Sequence, residues 1–220
     1  MHVPDGFLGP QTYVPATVVG AGLWSVGIAR VRRRLDAVAL PRVGVLTALA
    51  FVLMMISIPI PGGSTVHFGG VALLALTFGG WTAFVCISLV LLMQAGLFGV
   101  GGITSVPVAA LLIGFVGAWT AVGAHRLLRG LGDRVALFGA GWFSVVVPAA
   151  LMAVVLGLQP AVATGADGRP LFFPFGLDVT LTAVIVPHLL VGVGEGLLTV
   201  MMIEALRRIG VEPVPAGGRA

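Results

Sequence analysis

Residues 13–34 read Tyr-Val-Pro-Ala-Thr-Val-Val-Gly-Ala-Gly-Leu-Trp-Ser-Val-Gly-Ile-Ala-Arg-Val-Arg-Arg-Arg. The run from Tyr13 to Ala29 is apolar and uncharged, and the cluster Arg30-Val31-Arg32-Arg33-Arg34 closes it. As a helix with modest tilt, such a run crosses a hydrocarbon core of about 30 Å. Outward from it the chain repeats the theme. It is 58% hydrophobic and 9% charged, with mean hydropathy +1.12, where a soluble domain carries roughly 25% charged residues. The predicted fold class is therefore an all-α membrane protein. It forms one transmembrane domain over 1–210, with a flexible tail at 211–220.

Further spans are predicted at about Val43–Ile60, Trp81–Phe98, Val106–Ala124, Val135–Leu158 and Val179–Leu206, with Pro148 and Pro187 tolerated inside the last two. Val71–Phe78, cut off by Gly79-Gly80, is a short or broken helix. With it the count is seven, and arginine tests that count. Seven spans place Arg30, Arg32, Arg33, Arg34, Arg42, Arg126, Arg129, Arg134, Arg207, Arg208 and Arg219 on one face and only Arg169 on the other. By the positive-inside rule the arginine face is cytoplasmic, so the N-terminus is outside and the C-terminus inside. The chain has no lysine, and its formal net charge of +4 is all arginine. Topology thus explains the basic balance, and no nucleic-acid partner is expected. With 33 glycines, close helix approach in lipid is expected, and Gly44 and Ala48 form one small-xxx-small pair. The single cysteine, Cys86, excludes a disulfide framework and a multi-cysteine metal site.

The first six residues, Met1-His2-Val3-Pro4-Asp5-Gly6, contain no basic n-region, so the terminus is expected to be retained. Histidine next to a free α-amine has a particular use. The Met1 amine, the deprotonated His2 amide nitrogen and the His2 imidazole Nδ1 close fused rings of about five and six members on one metal ion. Three coplanar nitrogens suit the planar geometry of Ni²⁺, Cu²⁺ and low-spin Co²⁺. Val3-Pro4-Asp5-Gly6 reads as a turn that folds this terminus back.

Topology puts His67, in the loop Gly63–Gly70, on the same face as His2, where its imidazole can supply a fourth nitrogen. Ser64 and Thr65 offer hydroxyls to orient it. Gln94 and Thr104 are polar supports for the outer loops. His125, among arginines at an inner helix end, reads as interfacial. His188 and Glu195 share one helical face. The alternatives for that pair are a structural network, with His188 lending support to the site, and a proton or ion relay. The relay would make the chain an ion-coupled permease or channel. No phosphate-binding loop is present, and without lysine there can be none, so this chain carries no ATP site. No G-x-S-x-G or H-E-x-x-H is present either, and the chain is not expected to be an enzyme.

Met-His-x-Pro-Asp-Gly-Phe-Leu at the N-terminus, His67 in Gly-Ser-Thr-x-His-x-x-Gly, and Gln94-Ala-Gly-Leu-Phe-Gly-Val-Gly-Gly-Ile-Thr104 together resemble one family. It is the CbiM/NikM family, the substrate-binding (S) components of energy-coupling factor transporters. The resemblance implies uptake of Co²⁺ or Ni²⁺ held by the Met1 amine, the His2 amide and imidazole, and the His67 imidazole. It implies residence in the cell inner membrane and a link to cobalamin biosynthesis. Its implied partners are a transmembrane coupling (T) protein, ABC-type ATPase subunits and a small accessory membrane subunit. The chain departs from the family pattern at Val100 and at Val106-Pro107-Val108-Ala109.

Overall fold

The computed structural model describes residues 2–60 and 64–211. Met1 and the predicted tail beyond Val211 lie outside the described residues. Helix α1 spans Pro10–Arg34, opening on a proline at its first position, where the missing N–H costs nothing. Helix α2 spans Ala39–Met55. Its start is fixed by the Asp36 carboxylate, which accepts the backbone N–H of Val38 at 3.0 Å and Ala39 at 2.7 Å.

The apolar run predicts a second span to Ile60, but the helix stops at Met55. Ile58–Ile60 is instead a strand, β1, paired antiparallel with β2, Ser64–Val66, so that Pro59 faces Thr65. Proline has no N–H for a helix interior, and Ile-Pro-Ile accommodates it at the edge of a two-stranded ribbon. From β2 the chain passes into α3, Val71–Phe78, the expected short helix, and then into α4, Gly80–Phe98. A 3-10 turn at Ile103–Ser105 leads into α5, Val106–Ala109. A π-helical segment, Ala110–Val116, joins α5 to α6, Gly117–Leu128. After α7, Asp133–Gly157, comes the single turn α8, Gln159–Val162, and finally α9, Leu177–Arg208, which runs through Pro187.

Among the described residues five helical stretches are long and apolar enough to cross a membrane: Pro10–Arg33, Gly80–Phe98, Ile103–Leu131, Asp133–Val162 and Leu177–Arg208. Helix α2 is apolar but has only 17 residues. Helix α3 has eight, every one of them buried or nearly so, and it packs against α4 and α6. A helix buried all round sits in the middle of a bundle, which explains why its sequence shows no polar stripe.

Contacts sort the loops into two ends. At one end Trp81, Phe84, Phe115 and Trp119 interlock, and the Arg30 guanidinium lies 4.6 Å from the Trp81 ring centre. At that same end Arg134 pairs with Glu204 and Arg207 with Asp133, tying the start of α7 to the end of α9. The opposite end gathers the N-terminal arm, the turn after β2, the loop 99–105 and the segment around Phe173.

Candidate metal centre

The N-terminal arm is stitched to three separate loops. The Val3 carbonyl accepts the Gly102 N–H at 2.8 Å and the Ser105 hydroxyl at 2.6 Å. The Asp5 carboxylate accepts the N–H groups of Ile103 and Thr104 at 3.1 and 2.9 Å, and the Thr104 hydroxyl as well. These bonds hold the Asp5 carboxyl below its ordinary pKa, the Thr104 hydroxyl contributing most. The Phe7 carbonyl accepts the Phe173 N–H at 3.2 Å. Gln159, only 1% exposed, accepts the Gly9 N–H at 2.9 Å and bonds Thr12, so the base of the arm is fixed to the α7–α8 corner.

The predicted turn is displaced by one residue. Its long hydrogen bond, 3.4 Å, runs from the Phe7 N–H to the Pro4 carbonyl, which puts Gly6 at the third position with φ +85°. That conformation belongs to glycine, and it lets the carboxylate of Asp5 point at the 103–104 backbone.

So held, the His2 ring lies half-buried with Nε2 2.8 Å from the Gln94 Oε1. An amide oxygen can only accept, so Nε2 carries the proton and Nδ1 keeps its lone pair. Gln94 is itself fully buried, a polar side chain in an otherwise apolar stretch of α4. Burial, the largest cause, lowers the His2 pKa to about 4, so the ring is neutral near pH 7.

The turn after β2 dips into the bundle, and His67 is 9% exposed rather than an open-loop residue. Its Nδ1 lies 3.4 Å from the Phe68 carbonyl. Burial again dominates in lowering its pKa well below the usual histidine value. The two rings meet with centroids 4.6 Å apart and planes tilted by 50°. Two neutral imidazoles brought together from distant parts of the chain are a donor set for a borderline-soft divalent ion.

Of the other predicted supports, Gln94 touches His2 directly, Thr104 acts one step away through Asp5, and His188 lies near His67. The His188 Nδ1 is 2.7 Å from the Val184 carbonyl. Thr65 is exposed, on the face of the ribbon opposite buried Val66. The Ser64 side chain, like Met1, lies outside the described residues. His125 sits in the last turn of α6, at the far end. Glu195 is 0% exposed and accepts the Gly69 N–H at 2.8 Å and the Gly70 N–H at 2.6 Å. The pair seven residues apart is therefore a structural network on the Glu195 side. Asp5, Gln159 and Ser105 escape sequence reading. A lone glutamine closing the apolar run before Pro160 was the one available signal.

A family model described as CbiM, cobalt uptake substrate-specific transmembrane region, matches residues 2–213. The chain is 36% identical over 219 residues to the fused nickel transport protein NikMN of Rhodobacter capsulatus, covering 96% of this chain and 63% of that one. It is 33% identical over 226 residues to the cobalt transport protein CbiM of Chlorobium limicola, covering 99% and 85%. This chain thus spans less than two thirds of the fused relative. A crystal structure of a truncated transition metal transporter superposes with a TM-score of 0.90 at 34% identity, covering 95% of this chain and 99% of the other.

Proposed function

This chain belongs to the CbiM family, and from that premise we propose that it is the substrate-capture subunit of an ATP-driven importer for Co²⁺ or Ni²⁺. The family is a metal-transport component and not an enzyme, and the helices are those of a membrane-embedded protein. In this reading α2 and α3 complete seven spans, the metal end faces outward, the arginine end faces the cytoplasm, and the membrane is the inner one. The ion sits in a planar set of four nitrogens: the Met1 amine, the His2 amide and Nδ1, and the His67 imidazole.

One observation carries the reading. His2 and His67, far apart in sequence, face each other at 4.6 Å, and the Gln94 bond leaves His2 Nδ1 as the lone-pair nitrogen. The ring nitrogen needed for a six-membered chelate is the one left available. Because burial keeps His2 neutral, the protons that metal must displace come from the amine and the amide. ATP binding and hydrolysis are assigned to ABC-type ATPase partners acting through a transmembrane coupling protein. The fused relative extends past the region matched here, which supports a further small membrane module in the assembly, on this chain or another. The permease alternative needs Glu195 as a relay, yet both its oxygens are occupied by backbone N–H groups.

The test uses protein purified with its native first residue. It should bind Co²⁺ or Ni²⁺ with the visible spectrum of a planar nitrogen site. A single residue added before Met1 removes the ring closure and should abolish high-affinity binding. Equal affinity with and without the extension overturns the proposal.

A further inference from the structure

The residue after His67 and the two after that are gripped by one helix. The Glu195 carboxylate of α9 takes the Gly69 and Gly70 N–H groups, and these stand at the start of α3. Those two N–H groups lack intrahelical partners, and a carboxylate is the acceptor best suited to them. One residue earlier on α9, Gly194 gives up its side chain to Phe68. A Cβ there would lie 2.6 Å from the Phe68 ring. One turn further back, Val191 packs on Val66 together with Val145. Residues 66, 68, 69 and 70 are thus each set by α9 or its neighbour α7, and His67 lies between them. No bond in this grip touches the imidazole itself.

We propose that Glu195 is a positioning residue for metal capture. By locking the Gly69-Gly70 backbone it fixes the reach and angle of the His67 ring opposite His2. The proposal rests on the four-nitrogen reading above. A carboxylate with two charge-assisted bonds in a water-free interior has no good substitute. Glutamine keeps its size but can accept at only one atom, and its amide hydrogens then face the second backbone N–H. That N–H loses its partner where water cannot replace it. The turn must shift to relieve the conflict, and His67 shifts with it. The N-terminal arm, held by Gln94 at His2, by the 103–104 backbone at Asp5 and by Gln159 at Gly9, is fixed by other elements and stays in place.

The experiment compares wild type, E195Q, H67A and the double variant, each purified with the native N-terminus and titrated with Ni²⁺ while the visible spectrum is recorded. E195Q should bind roughly tenfold to a hundredfold more weakly, as for outer partners of metal ligands generally. Its spectrum should move to that of H67A, three protein nitrogens with solvent in the fourth place, and the double variant should add nothing further. A merely structural carboxylate would lower stability and leave the bound-metal spectrum unchanged, and that result overturns the proposal. Loss of the whole chelate in E195Q, N-terminal nitrogens included, also overturns it. If E195Q does not fold, G194A, which pushes the same turn through Phe68, decides by the same spectral readout. If H67A binds Ni²⁺ like wild type, the four-nitrogen reading is what fails.

Discussion

The two ends of the bundle use similar hydrogen bonds in opposite surroundings. At the arginine end Arg134 meets Glu204 at 2.7 Å, with the two side chains 80% and 29% exposed. At the metal end Gln94 and Glu195, themselves wholly unexposed, make bonds of 2.6–2.8 Å to the half-buried His2 ring and to the Gly69-Gly70 backbone. Water competes for the first kind, so such pairs contribute about 0–1 kcal/mol. The second kind leaves a stranded buried partner when broken, at a cost of about 1–3 kcal/mol. Short distance therefore does not rank the contacts. Burial does, and it concentrates the consequential bonds around His2 and His67.

The sharpest way to strain this contrast is Gln94→Leu. Leucine fits the apolar wall of α4, so folding should survive, but the His2 Nε2–H loses its acceptor and the ring its fixed tautomer. Metal affinity, measured by competition with a chelating dye, should fall roughly tenfold to a hundredfold. Wild-type affinity in this variant would show that the arm alone orients His2.

Asp5→Asn should do less. Asp5 is exposed, and its bonds to Ile103 and Thr104 lie where water can substitute. Asparagine still accepts at one oxygen, so only part of the clasp on the 103–104 backbone is lost. A roughly threefold to tenfold faster release of metal is expected in stopped-flow dissociation, from weakening of a charge-assisted bond. An effect as large as that of Gln94→Leu would mean that exposure is a poor guide at this end.

The same contrast explains what could be foreseen in the sequence. Long apolar runs give away helices: α4, α7 and α9 begin and end within two residues of their predicted limits, and α1 runs on past Ala29 through its arginine cluster to Arg34. The β1–β2 hairpin was not foreseeable, because Ile-Pro-Ile after an apolar run continues the hydropathy of a span without continuing its geometry. Nor was the π-helical stretch Ala110–Val116, whose composition is that of any membrane helix. At the site, His2 and His67 were legible as chemistry. Gln94 was legible as a polar residue in lipid-like company. The grip of Glu195 on Gly69 and Gly70 was not, since it joins residues 126 and 125 positions apart and involves backbone groups that every residue possesses. Local patterning reports which residues can act, whereas long-range pairing decides where they point.

The smallest effect belongs to Arg134→Ala. It removes the charge from an exposed pair that ties α7 to α9, and Glu204 is left facing solvent rather than trapped. Thermal stability should drop by less than about 1 kcal/mol, and Ni²⁺ affinity should not change. The expectation is informative because α9 also carries Glu195, and α7 and α9 pack along their length. A rod tethered at both ends could in principle transmit a loosened arginine end to the metal end. If equilibrium titration of the detergent-solubilised variant shows weaker metal binding, the two ends are coupled through α9 and cannot be treated as independent. If it shows none, the ion pairs belong to the packing of the arginine end, and the proposed metal site rests on its own buried contacts.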